Sequence, residues 1–594
     1  MTRSFLNVEN SALGRPWRDR LDDAGRAQAQ AMVQQLGLGD LMARVLAGRH
    51  VGVEMAAAWL DPSLRGLMPD PFCLQGLEAA CLRLAQAIEA NQTIGIFGDY
   101  DVDGAASSAL LAEFLQSCGI RALIHIPDRI FEGYGPNSAA IAALREAGAD
   151  LLVTVDCGTT SHAVLAQARA QGLDCIVIDH HQAPADLPDA IIVNPNRQDD
   201  LSGLGQLCAA GVVYMVLVGL NRLLRERGFW SAKRPEPDLL EALDLVALAT
   251  IADVAPLTGL NRAFVTKGLA VMRARSRIGL RALMDVAGAD GPARPYHLGF
   301  LVGPRINAGG RIGDAALGAR LLMIRDEAEA TRIAAELDRL NRERQVIEKA
   351  TVEVAEAEAL ASLGLADQGA FVVTAGQGWH PGVVGLVASR LREKFGRPAF
   401  AIAFAGDIGT GSGRSIAGID LGRAVRGAVE RGILLKGGGH AMAAGITLSR
   451  EKLGALRAYL EDGFGEAVAR ARTGAALLID AAINAGAAQP GLIEALERAG
   501  PYGAGNPEPI FALPAHRIKQ AALVGTGHIR VSAVAGDGAV IEGIAFRAAG
   551  TQLGVALLAA RGGPLHLAGE LSLNRWGGRT RVQLRVLDCA GAGG

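Results

Sequence analysis

Cysteine is scarce in this chain, and what there is shows no pairing. The seven Cys lie singly along 594 residues with no CxxC pair. That excludes a zinc ribbon and a disulfide-stapled secreted scaffold, and it fits a reducing, cytoplasmic compartment. Aromatic residues make up only 4%, so the cores have to be built from Ala, Leu, Val and Ile. An excess of positive charge is also missing: 59 Lys and Arg face 61 Asp and Glu, a net charge of −2. If such a chain binds nucleic acid, it must do so through a local basic surface, with acidic surface elsewhere to offset it. The N-terminal stretch MTRSFLNVENSALGRPWRDR has no apolar run of the kind a secretory leader needs. The longest apolar run, near Leu207–Leu220, is too short and too interrupted by Gly to cross a bilayer, and reads as a buried helix.

What is present is a long globular chain, 50% hydrophobic and 20% charged, enough for about three or four domains. Residues 1–75 read as a helical lead-in ending in a Pro-broken stretch. From there short apolar runs alternate with helical segments: Thr93–Phe97, Leu151–Val155 and Cys175–Ile178 as strands, Leu77–Ala90 and Ser138–Ala147 as helices. That alternation predicts a parallel sheet with βαβ crossovers over residues 76–313. Residues 314–363 are rich in Ala, Glu, Arg and Leu and predict a helical connector. A second α/β unit follows over 364–470, with strands at Ala370–Thr374 and Ala399–Phe404. The stretch 471–594 has the texture of a β module: His528–Val534, Val540–Phe546, Pro564–Leu573 and Thr580–Leu587, preceded by a helix near Pro490–Ala499.

The position of the acids is the most informative feature. GDYDVDG (Gly98–Gly104) follows the first strand directly, and in an extended segment Asp99, Asp101 and Asp103 project to one side. Asp156 in VTVDCG ends the second strand, and Asp179-His180-His181 ends the third. In an open parallel sheet, ligands bind beyond the carboxyl ends of the strands. Carboxylates and imidazoles from three strand ends should therefore meet at one rim, where they repel unless cations sit among them. A mostly oxygen donor set favours Mn²⁺ or Mg²⁺ over zinc, and two such ions suit in-line attack of water on a phosphodiester. Each piece alone has a plainer reading. A lone strand-end Asp is usually a helix cap, and paired His can be solvated loop residues. DxDxDG also resembles a calcium loop, but the twelfth position is Leu110, not Glu.

In this order and spacing, GDYDVDG, VTVDCG, VIDHH and TIADVAPL resemble the four motifs of the DHH phosphoesterase superfamily, in the RecJ-type exonuclease branch. The resemblance implies that Asp101, Asp103, Asp156, His180 and Asp253 hold metal, with Asp156 bridging two ions and Asp99 a further candidate ligand. Other branches carry His four residues before the paired acids; here that position is Phe97. The resemblance puts His181 at the scissile phosphate and Asp179 behind an imidazole that it orients. In DRIFEGYGP, Tyr134 and its flanking Gly survive, whereas Glu132 departs from the usual pattern.

Further on, GPRINAGGR, GWHPGVVGLVASRL, GSGRSI and KGGGHAMAAG resemble the DHHA1 substrate-binding domain, with the Gly-rich segments read as turns. Residues Arg305, Arg311, His380, Ser412, Arg414 and His440 are the substrate-binding candidates, and the resemblance implies that Arg311, Ser412 and Arg414 hold a terminal 5′ phosphate. GPYGAGNPEPIF and the β-rich tail resemble the OB-type domain of the same branch, with Arg530, Arg547, Arg575, Trp576, Arg579 and Arg581 as candidate nucleic-acid contacts.

The expected fold is α/β: a parallel-sheet DHH domain and a smaller α/β DHHA1 domain joined by a long helix, plus a C-terminal OB-like β domain. The expected activity is single-stranded-DNA-specific 5′→3′ exonuclease action with two divalent cations, Mn²⁺ or Mg²⁺, releasing 5′ mononucleotides in DNA repair and recombination. Single-stranded DNA is the expected partner, and the resemblance further implies a single-strand-binding protein and a helicase. Two readings compete. One is another DHH phosphoesterase acting on short oligonucleotides or cyclic dinucleotides, or a pyrophosphatase, which would not need the OB-like tail. The other is a catalytically dead scaffold, which would have lost the acids that stand here.

Overall fold

The computed structural model describes residues 3–129, 131–289, 291–364, 369–473, 476–560, 562–576 and 579–592. The chain forms two compact units, one of residues 1–67, 256–263 and 475–594, the other of 68–255 and 264–474.

The larger unit contains the parallel sheet that the alternating pattern predicts. Its five strands run in the order Ala122–His125, Ile94–Gly98, Leu151–Val155, Asp174–Ile178, Ile191–Val193, all parallel. Ile94–Gly98 and Leu151–Val155 are buried along their whole length, as expected of parallel strands covered on both faces. The apolar stretch near Leu207 is the largely buried helix Ala209–Glu226. The connector is one 37-residue helix, Glu327–Leu363, started by Asp326, whose carboxylate accepts from Glu329 N. The second sheet of this unit has the order Lys436–Gly439, Ala443–Ser449, Ile408–Arg414, Ala399–Ala405, Val372–Gln377.

Ser412 and Arg414 lie in the strand Ile408–Arg414, not in a turn as the Gly-rich sequence suggests. Gly409, Gly411 and Gly413 face Phe404, Ile402 and Phe400 so closely that a Cβ would come within 2.7, 2.8 and 2.4 Å of them. The glycines make one face of the strand flush with the apolar core, and Ser412 and Arg414 occupy the other face. GPRINAGGR is likewise helical, Gly303–Ile312, and not a turn.

In the smaller unit the strands Phe511–Val524, His528–Val534, Val540–Ala545, Arg579–Gly591 and Pro564–Trp576 pair in sequence, and the first also pairs with the last. That closes a five-stranded barrel, the OB architecture. The expected lead-in has no core of its own. Met32, Val45 and Leu46 share one core with Phe511, Ile529 and Leu567. Trp17 is fully buried with Leu477, Ala512 and Ala568 and donates its indole N–H to Asp588. Arg530, Arg547 and Arg581 are exposed on this unit, while the side chains of Arg575, Trp576 and Arg579 lie outside the described residues.

Candidate active site

The first acids are set by a helix start, not by an extended segment. Asp101 is the N-cap of the helix Val102–Ser117, and its carboxylate accepts from the amides of Asp103 (2.9 Å) and Gly104 (3.1 Å). Asp103 lies in the first turn and accepts from Ala209 N (2.7 Å) and Ala210 N (2.8 Å), at the start of another helix. This places negative charge at two helix N-termini, where it is favoured. Gly104 is required sterically: a Cβ there would lie 2.3 Å from the carbonyl oxygen of Asp99. Asp156 follows its strand in the left-handed region, φ 62°, a conformation Asp tolerates better than most side chains. Asp253 caps the helix Leu243–Ala252 at its C-terminus.

These groups converge. Ligand atoms of Asp99, Asp101 and Asp156 lie within 4.8 Å of one another, as do those of Asp103, His180 and Asp253, and those of Asp156, His180 and His181. Nε2 of His180 lies 3.2 Å from Asp156 and 3.7 Å from Asp103, and its Nδ1 lies 4.0 Å from Asp253. One carboxylate oxygen each of Asp99 and Asp156 is buried and accepts no hydrogen bond, a costly state for a carboxylate unless something positive comes to it.

Burial holds the carboxyls of Asp99 and Asp156 far above the usual carboxylate range, helped by the charge of Asp101 on Asp99 and of Asp103, Asp101 and Asp99 on Asp156. Burial raises Asp103 too, against the pull of His180. Asp253 is pushed up to about 8 by burial, Asp103 and Asp101. Asp179 goes the other way: burial alone would raise it, but His181 and Thr159 hold it well below the ordinary range. It accepts from His181 Nδ1 (2.8 Å), His180 N (2.8 Å) and the Thr159 hydroxyl (2.6 Å). His181, which burial would lower, is raised to about 9 by that partner. Asp179 therefore orients an imidazole and fixes the turn that carries both His.

Sequence reasoning missed two Asn of this scaffold. Asn194 donates to Thr159 Oγ1 and to the carbonyl of His181, and Asn196 donates to the carbonyl of His180. Asn194 follows Val193 at the end of the fifth parallel strand, so the strand-end signal that found Asp156 was there to be read. Tyr134 reaches His181 at 3.3 Å. Glu132 ties the loop that carries Tyr134, accepting from Asp128 N and Asn137 and pairing with His125.

A cationic half sits in the same unit. Arg311 donates to the Gly382 carbonyl, and a Cβ on the adjacent Gly310 would lie 2.6 Å from the carbonyl oxygen of Tyr100, between Asp99 and Asp101. Arg414 donates to Ser412 Oγ (2.8 Å) and to the Gly413 carbonyl. A Cβ on Gly385 would lie 3.0 Å from the Arg414 guanidinium and 3.2 Å from Ser412 Oγ. Gly385 opens the helix Val384–Phe395, whose N-terminal end favours an anion. Arg311 is brought down to about 10 by burial and then by Arg129, Arg344 and Arg414. Burial, Arg129 and Arg392 lower Arg414. Guanidiniums held together at such cost would be relieved by a multiply charged anion.

His440 lies near parallel to His181, ring centroids 6.0 Å apart. His380 accepts from Gly382 N within the turn ahead of the helix. Arg305 is the exception among the candidates: its guanidinium is committed to Asp338 and the Leu301 carbonyl, so it braces the long helix and is not part of the cluster.

Residues 93–250 match the DHH family, N-terminal domain; 367–466 match the DHHA1 domain; and 479–588 match the RecJ OB domain. The chain is 39% identical over 546 residues to the single-stranded-DNA-specific exonuclease RecJ of Dickeya dadantii, covering 89% of this chain and 92% of that one. Among solved structures it is similar to RecJ of Thermus thermophilus in complex with Mn²⁺, at a TM-score of 0.77 and 33% identity, covering 95% of this chain and 78% of that one. It is also similar to the Mg²⁺ complex of the same protein, at a TM-score of 0.73 and 31% identity, covering 95% and 76%. On these matches, and on the acids and guanidiniums that the fold brings together, the chain belongs to the RecJ family.

Proposed function

We propose that the protein is a single-stranded-DNA-specific exonuclease that degrades from the 5′ end, hydrolysing phosphodiesters with two divalent cations and releasing 5′ mononucleotides. The observation that carries the reading is the pair of buried oxygens on Asp99 and Asp156 that accept no hydrogen bond, set in groups of carboxylates and imidazoles linked through Asp156 and His180. Such a donor set fits hard cations such as Mn²⁺ or Mg²⁺. Asp99, Asp101 and Asp156 would hold one ion, Asp103, His180 and Asp253 the other, with Asp156 serving both. Cations bound there acidify the attacking water and balance the charge that develops on the phosphorus oxygens.

The chain's own residues supply the rest. His181, kept protonated by Asp179, faces the scissile phosphate as a donor. Arg311, Ser412, Arg414 and the helix start at Gly385 grip the terminal 5′ phosphate, which sets polarity and end-directed cutting. His380 and His440 shape that pocket. Residues 76–313 then carry the chemistry, 314–363 connect, 364–470 hold the end, and 471–594 guide the strand. A closed five-stranded barrel favours a polymer substrate over a dinucleotide. Contacts with a single-strand-binding protein and a helicase belong to the same proposal and rest on family resemblance alone.

The test is digestion of end-labelled single- and double-stranded DNA with Mn²⁺, Mg²⁺ or chelator. Mononucleotides should appear from the 5′ end of single strands only, and only with metal. Internal cuts, 3′ polarity or full activity in chelator would refute the reading.

A further inference from the structure

Two aromatic rings stand exposed on one short segment that the chemistry above does not use. Tyr296 is 59% and Phe300 70% exposed, and their rings lie near parallel, centroids 5.3 Å apart and 21° between planes. The segment His297–Val302 is a π-helix running into the helix Gly303–Ile312. Pro304 has no N–H to donate to the Phe300 carbonyl, so an ordinary α-helical ladder cannot run through this point. Leu298 and Val302 are buried on the inner side, which leaves Tyr296 and Phe300 facing outward.

That inner side rests on the metal-binding elements. A Cβ on Gly303 would lie 3.6 Å from Ala252 and 3.9 Å from Val102. Ala252 directly precedes Asp253, and Val102 separates Asp101 from Asp103. The segment that carries the platform thus runs into a helix packed against the residues next to Asp101, Asp103 and Asp253. Arg294, two residues before Tyr296, is exposed and forms no ion pair among the described residues. In a chain with 4% aromatics, two parallel rings left in water, two residues from an exposed Arg, match what a nucleotide needs: a flat face for the base and a cation for its phosphate.

We propose that Tyr296 and Phe300 are a stacking platform for one unpaired base of the DNA strand, with Arg294 on the neighbouring phosphate. This deepens the nuclease reading and rests on it. A base inside a duplex has both faces covered by its neighbours, so the platform accepts single strands and rejects paired ones.

The experiment uses the full chain with Mn²⁺ and a set of 5′-phosphorylated oligonucleotides, each with one abasic residue at a different distance from the 5′ end. In the wild type, abasic placement at one position should raise KM about tenfold to a hundredfold, and placement elsewhere should do little. Tyr296→Ala/Phe300→Ala should raise KM on the normal strand and erase that position dependence, with the loss falling on KM more than on kcat. Phe300→Trp should keep it, and thermal unfolding should show each variant folded. The proposal is overturned if no abasic position matters in the wild type, if the double variant keeps the wild-type dependence, or if Phe300→Trp behaves as an alanine variant. A wild type that degrades no oligonucleotide at all overturns the nuclease reading together with it, and that result appears before any abasic strand is used.

Discussion

Replacing Arg414 with Ala separates the grip on the 5′ phosphate from the stability of the fold. Arg311 is brought down to about 10, a cost of a few kcal/mol in holding its charge. Burial is the largest cause, and Arg129, Arg344 and Arg414 share the remainder. Relief from losing one half-buried guanidinium is therefore about 0.5 kcal/mol after screening. Against that stand two hydrogen bonds from Arg414, to Ser412 and to the Gly413 carbonyl, worth about 1 kcal/mol each where water can take their place around a half-buried side chain. Arg414→Ala should lose no more than about 1.5 kcal/mol of stability. Its effect on recognition should be larger, since a hydrogen bond to a charged group contributes about 1.5–3 kcal/mol. The ratio of kcat/KM on 5′-phosphorylated over 5′-hydroxyl strands should fall about tenfold to a hundredfold. Inorganic phosphate, which binds only the folded protein, should raise the wild-type Tm more than that of the variant. An unchanged ratio, or an unfolding penalty above about 3 kcal/mol, would refute the assignment of Arg414 to the phosphate.

Three further outcomes follow from the same geometry. Asp156→Asn keeps a side chain suited to φ 62° while removing its charge. Activity should fall at least about a thousandfold, the metal-free Tm should rise, and the stabilisation by Mn²⁺ should shrink; retained turnover in a clean preparation would remove Asp156 from the metal site. Gly104→Ala drives a methyl into the backbone of Asp99, and should cost about 1–3 kcal/mol together with most activity, because the loop carrying Asp99 and Asp101 has to move. Glu508 is pushed from 4.5 up to about 7 by burial and by Glu570. A carboxyl raised in the folded state contributes stability that is full below about 4.5 and lost as the pH rises through about 7. Glu508→Gln should therefore raise Tm at pH 8 by the equivalent of about 1 kcal/mol, since neighbouring groups crowd the carboxyl while water still reaches the residue and screens its charge, and change little at pH 4.

The parallel sheet and its strand-end acids were legible because both follow from local rules: apolar runs of strand length between helices, and acids directly after them. Other parts were not. Asp253 is a helix C-cap, a place where Asp is ordinary, so only resemblance pointed to it. Ser412 and Arg414 were misread as turn residues because glycine usually marks turns; the alternation in GTGSGR is the signature of a strand pressed against Phe400 and Phe404. The strand Phe511–Val524 was missed because Pro514 interrupts it, and its pairing with Pro564–Trp576 shifts register between Leu513 and His516, a bulge where proline is tolerated. The lead-in was taken as separate because a helix's partner cannot be read from its own sequence when it lies some 470 residues away, as Phe511 does from Met32 and Leu46.

The near-neutral net charge, which gave no hint of a nucleic-acid substrate, follows from how the site is divided. The acids that would hold cations and the guanidiniums that would hold phosphate form separate clusters in one unit, and their charges cancel in the sum but not in space. The separation has a chemical reason. Paired directly, Asp156 and Arg311 would neutralise each other and leave neither for its ligand. Kept apart, each set carries unfavourable like charge: Asp253 rises to about 8 and Arg311 falls to about 10. Cations relieve the first set and a terminal phosphate the second. A substrate that brings its phosphate to the guanidiniums while metal fills the acids meets both needs together. Salt should therefore act twice, screening the grip on the strand while leaving the buried metal site far less affected. Raising NaCl from about 50 to 200 mM should raise KM steeply and change kcat little. An equal loss in both would mean that the guanidiniums take part in the chemical step itself and do not only hold the end.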